Sequence, residues 1–368
     1  MIKQVLIALK TALAKHIDNT LFGLLMLVIT VGLVVLYSAS GQDLGQVGKQ
    51  AGNLLIALMF LLVFANISPQ RLEVVAVPLY AFGLILLIGV ALVGDVRYGA
   101  RRWLDLGVIS VQPSEIMKIA VPMMLAWFFA RREGWLSWKD YLLAAILLAL
   151  PVALILKQPD LGTSILIGAS GFYILFFAGL SWRFMTFMGL LLAAAVPLLW
   201  PLLHDYQRRR VLTLLDPTSD PLGAGYHTIQ ATIALGSGGL AGKGWLNGTQ
   251  SRLDFLPERH TDFIFAVFGE EFGLLGIVLL LILFSLIIGR GLVIAVNAQS
   301  MFGRLLAGSI TLTFFSYAFV NMGMVGGVLP VVGVPLPLVS YGGTSLVTLM
   351  VGFGILMSIQ THKKLVSS

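Results

Sequence analysis

Apolar runs long enough to cross a lipid bilayer recur ten times in this chain, and that repetition constrains its fold more than any other feature. A hydrocarbon core about 30 Å thick is crossed by roughly 20 helical residues. The runs lie at 20–38, 51–67, 74–94, 113–130, 141–156, 161–179, 183–203, 262–289, 304–326 and 343–360. Of 368 residues 58% are hydrophobic and 11% charged, against about 25% charged in soluble domains. A bilayer core has no water to satisfy backbone groups, so only helices or a closed barrel can span it, and the period-2 pattern of barrel strands is absent. The expectation is an all-α polytopic membrane protein, one domain over 1–368, with about ten transmembrane helices and a large structured extracytoplasmic loop near 204–261.

Charge and cysteine content exclude several function classes. The isoelectric point near 9.7 reflects basic residues dispersed through loops, with no basic tail or reader motif, so nucleic-acid binding is not expected. With no cysteines, disulfides and thiolate chemistry are excluded. Residues 1–19 read as a short basic amphipathic lead into the first helix rather than a cleavable signal peptide.

Ten crossings put both termini on one side. With that side cytoplasmic, Lys3, Lys10, Lys15, Arg71, Arg131, Arg132, Lys139, Arg183, Arg290, Arg304, Lys363 and Lys364 all lie inside, as positive-inside topology requires. Arg97, Arg101 and Arg102 fall in one outer loop, and Arg208, Arg209, Arg210, Lys243, Arg252 and Arg259 in the large one. These outer cations either form a solvated surface or bind an anion such as a phosphate-bearing lipid head group. Within the large loop, 225–235 reads as a short amphipathic helix able to lie along the membrane interface.

Four stretches carry ionisable or unusual residues at membrane boundaries. Pro113 suits a first helical position and Ser114 stands close to the cap, and three residues apart on that helix Glu115 and Lys118 can pair, either as a structural ion pair or as a substrate contact. Asp160, in the turn Gln158-Pro159-Asp160, is placed to cap the following helix or to answer a nearby cation. Asp262 follows Glu258, Arg259, His260 and Thr261 and precedes a strongly apolar run. A helix cap at Thr261 or Asp262 is one reading; a functional carboxylate is the other, since an ionisable group entering a membrane is costly unless used. At about 100° per residue, Glu270 and Glu271 cannot both share a site with Asp262, so they are assigned to interior pairing. Finally, 321–345 packs three prolines and several glycines at membrane depth, which implies a broken or re-entrant element.

Absent signatures narrow the chemistry. Gly236-Ser-Gly-Gly-Leu-Ala-Gly-Lys-Gly244 looks like a phosphate loop but has the wrong glycine spacing and lacks the Ser or Thr that would bind magnesium. The five histidines have no metal-ligand spacing, and no serine nucleophile elbow appears.

The stretch 321–345, ending Leu338-Val-Ser-Tyr-Gly-Gly-Thr-Ser345, resembles the signature of the shape, elongation, division and sporulation (SEDS) family. So do 255–267, 216–225, Gln158-Pro-Asp-Leu-Gly162 and Gln112-Pro-Ser-Glu115. The Leu256-Pro-Glu-Arg-His-Thr-Asp262 wording is similar to elongation members more than to division members. The resemblance implies a peptidoglycan glycosyltransferase of the bacterial cytoplasmic membrane that polymerises lipid II beside a class B penicillin-binding transpeptidase. It places the family's essential aspartate on Asp262, its ion pair on Glu115 and Lys118, its loop tryptophan on Trp103 and its Gln-Pro-Asp carboxylate on Asp160.

Asp262 would then act as general base in an inverting displacement. The leaving pyrophosphate needs charge neutralisation rather than protonation, which Arg101, Arg102, Arg208, Arg210 or Lys118 would supply, with room for a divalent magnesium or manganese ion and no cofactor otherwise required. A lipid II flippase or other transporter is the alternative; it would move labelled lipid without chain growth. A scaffold that only recruits the transpeptidase would leave Asp262 dispensable.

Overall fold

The computed structural model describes residues 15–97, 100–105, 110–132, 136–199, 205–219, 224–252, 255–256 and 258–362. Helices dominate: α1 (Asn19–Ala39), α2 (Leu44–Ala65), α3 (Pro69–Val93), α4 (Pro113–Ala130), α5 (Trp138–Lys157), α6 (Leu161–Phe177), α7 (Trp182–Leu199), α8 (Asp205–Leu215), α9 (Ala224–Ser237), α10 (Thr249–Arg252), α11 (Ile264–Val296), α12 (Met301–Val325) and α13 (Thr344–Thr361). A helix stands at each of the ten expected apolar runs. Among the described residues seven, α1, α2, α3, α5, α11, α12 and α13, are long and apolar enough to cross a membrane. Of the others, α6 is a shorter apolar helix, and α4 carries Glu115, Lys118 and an internal Pro122.

The chain departs from all-helical structure in the loop after α3. Strands β1 (Asp95–Arg97), β2 (Ala100–Asp105) and β3 (Ser110–Val111) form an antiparallel sheet in the order β1-β2-β3, with Asp95 opposite Trp103. Each strand is too short to leave a readable alternation in the sequence.

At the centre, α12 packs against α4, α6 and α11, and α13 against α2. Pro113 occupies the first turn of α4 as expected, but the cap position belongs to Gln112, which makes no side-chain cap bond. At the bundle end opposite the sheet, His16 stacks on His362 with ring centroids 3.9 Å apart, so the two ends of the described chain meet on one side. There too Asp18 caps α1 and pairs with Arg290 of α11.

Helix α11 is broken. Gly273 adopts φ 64°, ψ −164°, a region open essentially to glycine alone. The glycine loop that resembled a phosphate cradle splices into this break: Lys243 and Gly244 amides donate to the Glu270 and Glu271 carbonyls, and Leu274 and Leu275 amides donate to Gly239 and Leu240. Backbone groups freed by the break are thereby satisfied, as they must be away from water. The acidic pair locks the same splice. Glu270, fully buried, takes Lys243 Nζ at 2.7 Å and the Thr249 and Gln250 amides at 2.8 and 3.1 Å, and Glu271 accepts from Ser38 of α1. Trp245 Nε1 completes the strap by donating to Val34 of α1 at 3.2 Å.

The expected amphipathic helix at 225–235 exists as α9. It buries a narrow face of Thr228, Ala231 and Ala234 against α11. Between α12 and α13 the segment 326–343 is largely irregular, and its second half is mostly buried, with Val334, Leu336, Val339 and Ser340 each below one-tenth exposed; this is the broken element anticipated from its prolines and glycines.

Candidate functional site

Asp262 sits in a tight turn two residues ahead of α11. Glu258, in left-handed conformation at φ 48°, accepts the Thr261 and Phe263 amides at its carbonyl, and its carboxylate accepts the Thr261 hydroxyl at 2.7 Å. The helix begins only at Ile264, after Phe263. Phe263 holds the cap position and the helix start has no side-chain cap bond, so neither Thr261 nor Asp262 caps it and the Asp262 carboxylate is left free of a capping role. It lies against Gly333, where an added Cβ would stand 3.5 Å from Oδ2; with φ at 72° this position favours glycine. Burial, reinforced by the negative charge of Glu258, pushes the Asp262 carboxyl up to about 6, and no cation among the described residues pulls it back.

The turn is pinned from three directions, all through its backbone. Asn321 of α12 donates Nδ2 to the Asp262 carbonyl at 2.8 Å and to the Val334 carbonyl at 2.7 Å. The Ser340 hydroxyl donates to Thr261 at 2.6 Å and accepts the Leu336 amide at 2.8 Å. The Tyr341 amide donates to His260 at 2.8 Å. Gln50 of α2 holds the segment from behind, donating to the Ser340 carbonyl and accepting the Gly342 amide.

The second group centres on α4. Lys118 Nζ meets Glu115 Oε1 at 2.6 Å, with Lys118 only 8% exposed. Glu115 Oε2 accepts the Thr348 hydroxyl of α13 at 2.9 Å, and Lys118 stands 5.3 Å from the Tyr317 ring centroid. Lys118, Tyr317, Thr313 and Thr348 line a small, otherwise apolar cleft between α4, α12 and α13. Asp262 is not among the residues lining that cleft.

In the third group Asp160 serves in both of the roles its sequence left open. Its Oδ1 accepts the Thr163 amide at 3.2 Å as helix cap, and its Oδ2 lies 3.9 Å from Arg102 Nε. Arg102 also donates to the Pro159 carbonyl at 2.6 Å, which ties β2 to the start of α6. Arg101 is exposed and Trp103 part-buried on the same strand. The start of α6 also reaches the irregular segment: an added Cβ on Gly162 would lie 2.7 Å from the Val332 carbonyl. Gly162 and Asp262 therefore approach neighbouring residues of one irregular stretch, 332–334. Arg208 lies part-buried on α8, and the side chain of Arg210 falls outside the described residues. Among the described residues no three His, Cys, Asp or Glu side chains converge on a common point.

Asn321, Ser340, Gln50, Tyr317 and Thr348 were not singled out from the sequence. The one available signal was Asn321, a fully buried amide in an apolar helix, since intramembrane polar residues mark interior sites.

A family model described as cell cycle protein, covering FtsW, RodA and SpoVE, matches residues 18–365. The chain is 55% identical over 353 residues to the Escherichia coli K12 peptidoglycan glycosyltransferase MrdB, spanning 96% of this chain and 95% of that protein. It is 36% identical over 347 residues to a probable peptidoglycan glycosyltransferase FtsW of Geobacter metallireducens, covering 90% and 92%. Among solved structures, a chain from work on the coordination of polymerization and crosslinking by a peptidoglycan synthase complex superposes with a TM-score of 0.81 at 34% identity, covering 93% of this chain and 97% of that one. The Thermus thermophilus rod shape determining protein RodA superposes at 0.71 with 30% identity, covering 93% and 96%.

Proposed function

The chain belongs to the FtsW, RodA and SpoVE family of cell cycle proteins, and from that premise we propose that it is a peptidoglycan glycosyltransferase whose general base is Asp262. It polymerises lipid II into glycan strands during cell elongation, a role supported by 55% identity to MrdB against 36% to an FtsW. One observation carries the choice of base: a carboxyl raised to about 6, held by its backbone and left without a cation or a cap. A base of that strength is ionised at neutral pH yet accepts a proton more readily than an ordinary carboxylate.

In the reaction the C4 hydroxyl of an acceptor GlcNAc attacks the anomeric carbon of a donor MurNAc, and its proton passes to Asp262. The bond from that carbon to the pyrophosphate breaks, undecaprenyl pyrophosphate departs as an anion, and configuration inverts. Lys118, Arg101, Arg102, Arg208 and Arg210 supply positive charge to substrate phosphates, while Glu115, Asp160 and Trp103 shape the site. A divalent cation, if used, would draw most of its ligands from phosphate oxygens and water.

All ten long helices cross the membrane in this reading. Both termini are cytoplasmic, which the stacking of His16 on His362 supports by putting them on one side, and 204–261 is the outer loop. Similarity to a chain of a synthase complex that couples polymerization to crosslinking supports a class B penicillin-binding transpeptidase as partner. The test is a gel assay for glycan strands from purified lipid II, with and without that transpeptidase. Asp262→Ala should abolish polymer while the protein stays folded; polymer from the variant would sink the assignment.

A further inference from the structure

Asn321 is the least expected side chain in the centre of the bundle. It is fully buried on α12, and its amide nitrogen is shared between two backbone carbonyls, of Asp262 and Val334. With both acceptors on one side the amide has a single orientation, because a flipped amide would set its oxygen against two carbonyl oxygens. That orientation leaves Oδ1 buried with no partner among the described residues. The amide satisfies two backbone carbonyls and leaves one oxygen of its own unpaired, so what it contributes is the join between those carbonyls rather than filled space. Strain of this kind collects where geometry at a functional site is over-determined.

The two carbonyls bracket the surroundings of one carboxylate. Asp262 carries it, and Val334 follows Gly333, where an added Cβ would stand 3.5 Å from Oδ2. One amide therefore sets the spacing between the carboxylate and the backbone it lies on. No other side chain among the described hydrogen bonds joins these two backbone positions; Ser340 reaches Thr261 and Leu336 instead.

We infer that Asn321 is a positioning residue for Asp262, fixing the distance between the carboxylate and the 333–334 backbone against which the acceptor hydroxyl is deprotonated. The inference rests on Asp262 being the base. Asn321 touches no substrate in this reading. Its removal acts on the chemical step rather than on binding, and a displacement of about 1 Å at a reacting group is worth up to about a hundredfold in rate.

The experiment compares wild type, Asn321→Ala, Asn321→Asp and Asp262→Ala as full-length purified protein. It measures kcat and KM for polymerisation of lipid II, binding of lipid II, and apparent melting temperature. Asn321→Ala is expected to lower kcat at least about tenfold, with KM and lipid II affinity within about twofold and a lower melting temperature from the two carbonyls left unpaired. Activity within about twofold of wild type would overturn the inference, as would a loss confined to KM. Should Asn321→Ala fail to fold, Asn321→Asp decides the matter, because it keeps the volume and turns a donor into an acceptor facing two carbonyls. It is expected to lower kcat with KM kept, and a kcat equal to wild type overturns the inference. Asp262→Ala separates the two claims: an inactive Asp262→Ala beside a fully active Asn321→Ala defeats the positioning role alone, whereas an active Asp262→Ala defeats the base itself.

Discussion

Replacing Asp262 by Asn should make the protein more stable at neutral pH while removing its activity. Burial and the neighbouring Glu258 raise the carboxyl from 3.8 to about 6, so ionising it in the folded protein costs about two pH units of free energy. At about 1.4 kcal/mol per unit this is an upper bound of about 3 kcal/mol, reduced by whatever solvent reaches the partly exposed carboxylate. The sign follows from linkage: the raised acid contributes stability that is fully present below pH 4 and is lost as pH rises through 6. Asparagine fills the same space and never ionises, so its stability has no such slope. The stability gap between variant and wild type should therefore open between pH 4 and pH 6 and stay constant above. Titrating groups that do not feel the Asp262 charge are common to both proteins and cancel, which leaves Glu258 as the one coupled neighbour. Apparent melting temperatures from tryptophan fluorescence in detergent, taken from pH 4.5 to 8, measure the gap, and lipid II polymerisation at pH 7.5 should fall by about a hundredfold or more. A gap independent of pH, or a variant less stable than wild type at pH 7.5, would falsify the account of a costly, desolvated base.

Three further perturbations probe the surroundings. In a pH profile of kcat/KM, activity should rise through an acid limb near 6 as Asp262 loses its proton, and Glu258→Gln should move that limb to lower pH by removing a negative neighbour; an unmoved or higher limb would contradict the assignment. Lys118→Met strands Glu115 as a buried unpaired charge and should cost about 3–5 kcal/mol. Adding Glu115→Gln should restore part of that in melting experiments, and strictly additive losses would mean the pair is not coupled. Gly273→Ala places a Cβ 2.3 Å from the Gly242 amide nitrogen in a backbone region closed to alanine, at a cost of about 1–3 kcal/mol before the clash is counted; unchanged melting would show that the break in α11 is not obligatory.

Much of the architecture was legible because a bilayer imposes one rule on every segment that enters it. Apolar runs of about 20 residues can only be helices, so helices stand at all ten expected positions, and Pro113 and Asp160 mark the starts of α4 and α6 through turn chemistry local to a few residues. The Glu115–Lys118 pair was legible for the same reason, being three residues apart on one helix. The sheet around Arg102 was not, since strands of two to six residues leave too little pattern. Nor was the purpose of the glycine loop 236–244: spacing excluded a phosphate cradle, but its real partner is a break in α11, some 30 residues on, and nothing local announces that pairing.

Asp262 shows where the division falls. Sequence alone picked it out, because a carboxylate entering an apolar run is costly wherever the chain folds. Whether it caps a helix or stays free was decided by the folded chain: α11 starts only at Ile264 with Phe263 at the cap position, and Gly333 comes up beside the carboxylate from the far side of α12 in sequence. Asn321, Ser340 and Gln50, from α12, the irregular segment and α2, then hold that geometry by hydrogen bonds between residues up to some 290 positions apart. Hydrophobicity and local turn chemistry are properties of short stretches and can be read one residue after another. The strength and placement of a base depend on what is folded against it.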